Sequence, residues 1–526
     1  MKLAAGVGAL LVAAHAALLA PLLAHCRRST LEVRVRAPRA AAALSVAAEI
    51  PAGVHEEVTV EVDGAPVDLA QARVGPGLHR VEWSARYRGG FERRVGVTQL
   101  VGPFQDPQQP PCSVRLLVGQ ALLDDGRGSP GTIADVARRV IERELDGFER
   151  WPIGEFRRIG KLELAWGATA LVIHAEAEFS RGKVPLTVMG YPQLVDGALA
   201  VDIDVDADVD FDSRVYDFIA DLINAEVLAN RTAEREIRGA LAEAMRPPPP
   251  VELPDGRRLV FDYCAGAAIE MQPRSWVSVP LSMRIERGNG AADPAADVLP
   301  VTLGPLPGGD PAALAPLDAP IAIEFSLDAI NAILYYLWRT DFLDQQLTAA
   351  GVDDRFNTDS TVQEMLSIRI SGIRLSLPPT AAPGPAGGPT FDLGAEATLQ
   401  IHDGATVTPA RAWSTIGFDF ATTGGTDLVA KLTLRDLALT CEPEPGLLRP
   451  CYDDLIAEVR RRPDDLHGEL TRLFTRQFRD IVLGRRIGTD DSPADFHIDR
   501  ATIHAAAHPP TGVVRVDLYG RLVDAP

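Results

Sequence analysis

Phe325-Ser-Leu-Asp-Ala-Ile-Asn-Ala-Ile-Leu-Tyr-Tyr-Leu-Trp-Arg-Thr-Asp-Phe-Leu343 is the stretch on which the reading of this chain turns. Its spacing predicts one amphipathic helix. Ser326 is a favourable N-cap, and Asp328 puts negative charge at the positive end of the helix dipole. At about 100° per residue, Leu327, Ile330, Leu334, Leu337 and Trp338 fall on one side, while Asp328, Tyr336 and Arg339 fall on the other. Spacing alone makes this a helix packed on a core.

The order of residues adds to that. A Ser, a hydrophobic-Asn pair, a short apolar run, Tyr-x-Leu-Trp and a closing Phe-Leu resemble the start of the C-terminal barrel in the bactericidal/permeability-increasing protein family. That family belongs to the tubular lipid-binding (TULIP) superfamily, and the ending Phe478-Arg-Asp-Ile-Val-Leu-Gly-Arg-Arg-Ile487 fits it less specifically. The resemblance implies an α+β protein with two elongated TULIP-type barrels, each a twisted antiparallel sheet wrapped on a long helix. It also implies lipid held in an apolar tunnel.

Bulk properties narrow the function classes. The 526 residues suffice for two to four domains with their own cores. A formal charge of −20 excludes the basic stripe that nucleic-acid binding needs. Lys2 precedes an uncharged run from Leu3 to Ala24, which fits a secretion signal or a membrane anchor and predicts export. Five cysteines in an exported chain predict disulfides with one residue over. Cys441 and Cys451 are close in sequence and are paired here, leaving Cys112 to Cys264. Cys26 closes Leu22-Leu23-Ala24-His25-Cys26, which resembles a bacterial lipobox except at His25, where a small residue is usual. Lipidation of Cys26, an uncleaved anchor, and ordinary cleavage leaving a free thiol all stay open, each placing the body in a bacterial envelope, periplasm or outer membrane.

Along the chain, residues 1–26 read as a signal or lipoprotein segment and 31–103 as a small β-sandwich resembling Ig-like or PEGA-like modules. Val58, Val60 and Val62 alternate there and lead to a turn at Asp63-Gly64. This module reads as a spacer between membrane and functional domains. After a proline-rich linker, 112–287 carries a strand, a helix opened by Thr132 and Asp135 in a capping-box arrangement, strands, a long helix from Ser213 to about Met245, and strands again. A second linker spans 288–320. In 321–526 the order recurs, with a long helical stretch from Tyr452 to Leu483. The Pro/Gly segment from Pro378 to Pro389 reads as a flap or a permissive loop.

Burying lipid tails is the chemical task that the resemblance implies. At about 0.8 kcal/mol per methylene, a sixteen-carbon chain in water costs roughly 12 kcal/mol. Candidate tunnel walls are Val201, Ile203, Val205 and Val209 from one alternating strand, Leu164 and Trp166 from its neighbour, and the helix residues Leu327, Ile330, Leu334, Leu337 and Trp338. Leu171 and Ile173 join them if a bulge near Gly167 resets the parity. The alternate residues Asp202, Asp204, Asp206, Asp208, Asp210 and Asp212 read as a solvated face, calcium being the rival reading. No metal and no cofactor is expected. His497, His504 and His508 cluster late, but strand parity sets 497 and 504 on opposite faces. No nucleophile elbow, zinc helix or phosphate loop marks an enzyme. The expected partner is a lipid or apolar small molecule, with a membrane held through the N-terminal segment. The alternatives are an envelope structural or surface-interaction protein with filled barrels and, more remotely, a secreted hydrolase.

Overall fold

The structure is a computed structural model that describes residues 34–49, 55–69, 72–87, 92–105, 112–144, 146–147, 149–150, 154–206, 239, 242, 244–252 and 257–286, then 298–303, 317–349, 368–385, 390–403, 406–423, 427–441, 485–489, 492–508 and 511–524. Its organising element is one nine-stranded sheet. The strands run in the order Val251–Glu252, Arg258–Tyr263, Trp276–Glu286, Cys112–Gly119, Ile321–Ser326, Thr511–Asp524, Ser492–His508, Arg485–Thr489, with Glu270–Gln272 also paired to Trp276–Glu286. Two parts of the chain therefore share a sheet. They meet where Cys112–Gly119 pairs antiparallel with Ile321–Ser326, setting Val114 opposite Phe325, Leu116 opposite Ile323 and Val118 opposite Ile321.

Alternation explains the two faces of this seam, because successive side chains leave a strand on opposite sides. Val114, Leu116, Val118, Ile321, Ile323 and Phe325 belong to the main apolar cluster. The opposite face carries a row of charge, with Arg115 opposite Glu324, Glu324 opposite Arg515, and Arg515 opposite His504.

Two meanders accompany the shared sheet. The first consists of Gly154–Trp166, Leu171–Phe179, Gly182–Val195 and Ala198–Asp206, with Glu149–Arg150 at its edge. The second consists of Ile368–Leu375, Phe391–Asp403, Thr406–Thr423 and Asp427–Cys441, with Thr380–Pro383 paired to Phe391–Asp403. Sharp reversals join their strands. At Asp196-Gly197 both residues have positive φ, 52° and 77°, the conformation a two-residue hairpin turn demands.

Here the expected α+β fold is corrected. Among the described residues the chain is mostly β, 62% strand against 12% helix, with no long helix wrapped by a sheet. Among the described residues the helices are Gln120–Leu123, Ile133–Glu144, Leu327–Arg339 and Phe342–Ala349. The stretches read as long helices, 213–245 and 452–483, lie almost wholly outside the described residues. Period-two apolar patterning is the physical reason for the β character: each meander buries one face of each strand, and the halves close on a sheet they share.

Helix ends follow their sequence signals. Ser326 Oγ accepts from Ala329 N, as an N-cap should. Thr132 Oγ1 accepts from Asp135 N at 3.2 Å, while the Asp135 carboxylate takes Gly131 N at 3.1 Å, one residue upstream of the usual capping-box partner. The segment read as a flap differs: Thr380–Pro383 is a strand, and Ala381 is fully buried.

The N-terminal module has two layers. A five-stranded sheet of Ala40–Ala41, Glu92–Val101, Gly77–Tyr87, His55–Val62 and Ala65–Pro66 packs against the pair Arg34–Arg36 and Ala47–Glu49, through Val62, Val81, Trp83, Val35 and Val46. Rather than standing apart as a spacer, it docks on the second meander. Leu78 meets Tyr335, Trp338, Leu377 and Trp413 in one cluster, and Arg80 Nη1 donates to Thr440 Oγ1 at 3.2 Å. Arg39 also donates to the Ser376 carbonyl.

Candidate functional site

The helix Leu327–Arg339 stands at the junction of three apolar clusters. Ala329 and Ala332 face the shared sheet and the first half. Tyr335 and Trp338 turn to the docked N-terminal module. Leu327, Leu334 and Ile330 enter the interior of the second half with Ala381, Phe391, Phe418 and Val514. Three buried polar groups pin the helix. Asn331 exchanges two hydrogen bonds with Ala381, its Nδ2 donating to the carbonyl at 3.0 Å and its Oδ1 accepting from the amide at 2.7 Å. Tyr335 Oη donates to Val298 O at 2.9 Å, and Trp338 Nε1 donates to Leu375 O at 3.0 Å. Leu337 is half-buried. Spacing therefore located the apolar side of the helix but not its division among three neighbours.

Asp328 falls on the polar side of the helix by projection, yet it is 1% exposed. Its carboxylate accepts from Thr302 Oγ1 at 2.7 Å and from Leu303 N, while Gln105 Nε2 donates to its carbonyl at 2.9 Å. Both partner segments belong to stretches whose composition is that of a linker. Phe104 and Val301 form an antiparallel bridge, so the two segments brace one another at the start of the helix.

In the first half, the wall residues gather on one face as the alternation predicts, but by a different route at Gly167. Residues 167–170 are a turn between two strands instead of a bulge within one. The reversal places Leu171 opposite Trp166 and Ile173 opposite Leu164. Val188 continues the second row and Val205 holds the register position beyond it. Leu164, Trp166 and Val201 are buried in the main cluster, and Ile203 packs at its margin. Val209 lies outside the described residues. Farther from the Trp166 end, Ala175, Ala177 and Phe179 are only half-buried, although Phe156 opposite Phe179 is buried. The apolar face thus continues beyond the fully packed core.

Across the seam, Arg115 Nε lies 3.1 Å from Glu324 Oε2, and Arg515 Nε lies 2.8 Å from Asp517 Oδ1. Burial pushes the Glu324 carboxyl above its ordinary range, opposed by Arg115 and Arg515. Burial also raises that of Asp517, against Arg515 and His504. His504 Nε2 approaches Asp517 Oδ2 at 3.1 Å. The parity argument that separated His497 from His504 fails, because a bulge between Ile498 and Arg500 resets the alternation and puts both on one face. Opposite Arg521 and Arg515, they stand six residues apart along the partner strand, about 20 Å.

Among the described residues, no group of three or more His, Cys, Asp or Glu side chains is placed to hold a metal, and no helix is long and apolar enough to cross a membrane. Asp202 and Asp204 are exposed on the edge strand of the first meander. Cys112 is disulfide-bonded to Cys264, with Cα atoms 5.7 Å apart, tying the start of the first half to the turn after Arg258–Tyr263. Cys441 is also disulfide-bonded, whereas Cys26 and Cys451 lie outside the described residues.

No protein-family model matches the sequence, and no curated protein matches it. The chain is similar to lipopolysaccharide binding protein as seen in its crystal structure, at a TM-score of 0.34 and 12% sequence identity, over 79% of this chain and 99% of that one.

Proposed function

We propose that the protein binds a lipid or another elongated apolar ligand along the inner faces of its meanders, in a bacterial envelope to which its N-terminal segment tethers it. The observation that carries this reading is the apolar face of the first meander, which runs on from the packed Leu171 and Ile173 to the half-buried Ala175, Ala177 and Phe179. An apolar wall whose far end is only half-buried suits a ligand whose methylenes each gain about 0.8 kcal/mol on leaving water. Binding of this kind needs no covalent chemistry. The polar head stays at the open end while the tail lies along the wall.

A second reading, a structural envelope protein whose interior is filled by its own side chains, is favoured by the near-complete burial of Leu164, Trp166, Leu327 and Leu334. One purification separates the two. Protein extracted from its native envelope is analysed by lipid mass spectrometry, then offered a fluorescent fatty acyl probe. Stoichiometric lipid or saturable probe uptake is expected; absence of both overturns the lipid-binding reading in favour of the structural one. For the anchor, Cys26→Ser is expected to abolish palmitate labelling and membrane fractionation. Wild-type protein that never takes the label refutes lipidation.

A further inference from the structure

We infer that Val298–Leu303 is a strap that closes the second half by standing in its ligand space. This deepens the lipid-binding reading and rests on it. The segment has no regular structure beyond the single bridge at Val301, yet Val298 is fully buried and Leu303 is 9% exposed. Connecting segments ordinarily run over the surface, because burial strands their backbone polar groups. Here five of those groups are met: Val298 O by Tyr335 Oη, Pro300 O by Gln105 N, Val301 O by Gln105 Nε2, Thr302 N by Pro103 O, and Leu303 N by Asp328.

Its apolar side chains serve two places. Val298 and Val301 join the cluster under the N-terminal module, with Tyr335 and Trp338. Leu303 crosses into the interior of the second half, against Leu327, Leu334, Phe391 and Phe418. A side chain from an irregular segment thus fills part of the apolar space that the meander and the helix enclose. Releasing the segment breaks one bridge and a few side-chain bonds, far fewer than a strand inside the sheet would lose. Two of these bonds converge on the Asp328 carboxyl, from Thr302 Oγ1 and Leu303 N, making it the main tie of the strap. Releasing Leu303 leaves an apolar slot bounded by Leu327, Leu334 and Phe391, the place for an acyl chain.

The test uses purified full-length protein and a fluorescent sixteen-carbon fatty acyl probe, with uptake rate and stoichiometry measured for wild type, Thr302→Val, Leu303→Gly and Leu303→Met. Thr302→Val keeps the shape and removes the hydroxyl donor to Asp328, so uptake should accelerate about fivefold, the population change that the loss of one hydrogen bond commands. Leu303→Gly should raise the stoichiometry, and Leu303→Met should behave as wild type. Probe uptake by wild type that Thr302→Val and Leu303→Gly leave unchanged overturns the strap and leaves lipid binding standing. No uptake by any of the four proteins overturns the strap, and if none of them carries co-purified lipid it overturns lipid binding as well.

Discussion

Glu324 lies directly opposite Arg115 across the seam that joins the two halves, with Glu324 Oε2 3.1 Å from Arg115 Nε and the carboxylate 1% exposed. Arg515 faces Glu324 from the other side, so an Arg-Glu-Arg row spans three adjacent strands. Buried ion pairs contribute little net stability, but removing one partner leaves an uncompensated charge in a poorly solvating interior. Glu324→Ala should therefore cost about 3–5 kcal/mol, whereas the double replacement Arg115→Met, Glu324→Leu, which leaves the Arg515–Asp517 pair intact, should be near neutral or stabilising. Urea denaturation of the two variants checks this. A double variant as unstable as the single one refutes it.

The same carboxyl sets a pH dependence whose sign follows from its shift. Burial raises the Glu324 pKa in the folded protein above the 4.5 of the unfolded chain, so the folded state holds the proton more tightly. Its contribution is then fully present below pH 4.5 and is lost as pH rises through the elevated folded value. The stability difference between wild type and Glu324→Gln should move against wild type over that window. Denaturation midpoints across a pH series measure it, and a constant difference contradicts the assigned shift.

Asn331 is the polar rivet between the helix and the strand Thr380–Pro383, bonded to both the amide and the carbonyl of Ala381. Asn331→Ala strands two buried backbone groups, at about 1–3 kcal/mol each before relaxation. A loss of roughly 2–4 kcal/mol is expected. A loss below about 1 kcal/mol would mean that water replaces the amide.

Leu78 of the N-terminal module touches the second meander at Gly394, where an added Cβ would lie 3.3 Å from Leu78 Cβ. That spacing is close to the Cβ separation of a disulfide, about 3.5–4.5 Å. Leu78→Cys with Gly394→Cys should therefore cross-link on mild oxidation, as a gel shift after limited proteolysis reports. A module that merely hangs between membrane and body would give no such bond.

Local signals were legible in the sequence because they act over a few residues. Ser326 and Thr132 cap the helices their spacing announced, and Asp63-Gly64 turns the chain where it should. Faces were legible too: Leu164, Trp166 and Val201 share one apolar side because strand parity is a local rule. After Trp166 a chain reversal, instead of a bulge, resets the parity, and between Ile498 and Arg500 a bulge that parity could not foresee does so.

The partner of each face was decided by tertiary structure alone. Cys112–Gly119 pairs with a strand some two hundred residues away, and an apolar strand edge carries no record of which other edge will meet it. Burial of Asp328 under Thr302 and Leu303, and the docking of Leu78 on a meander more than three hundred residues distant, come from segments that read as linkers and spacer. Periodicity reports that a residue is buried. Only the folded chain shows against what, because the free energy of burial depends on area removed from water and is indifferent to the sequence distance of the group that removes it.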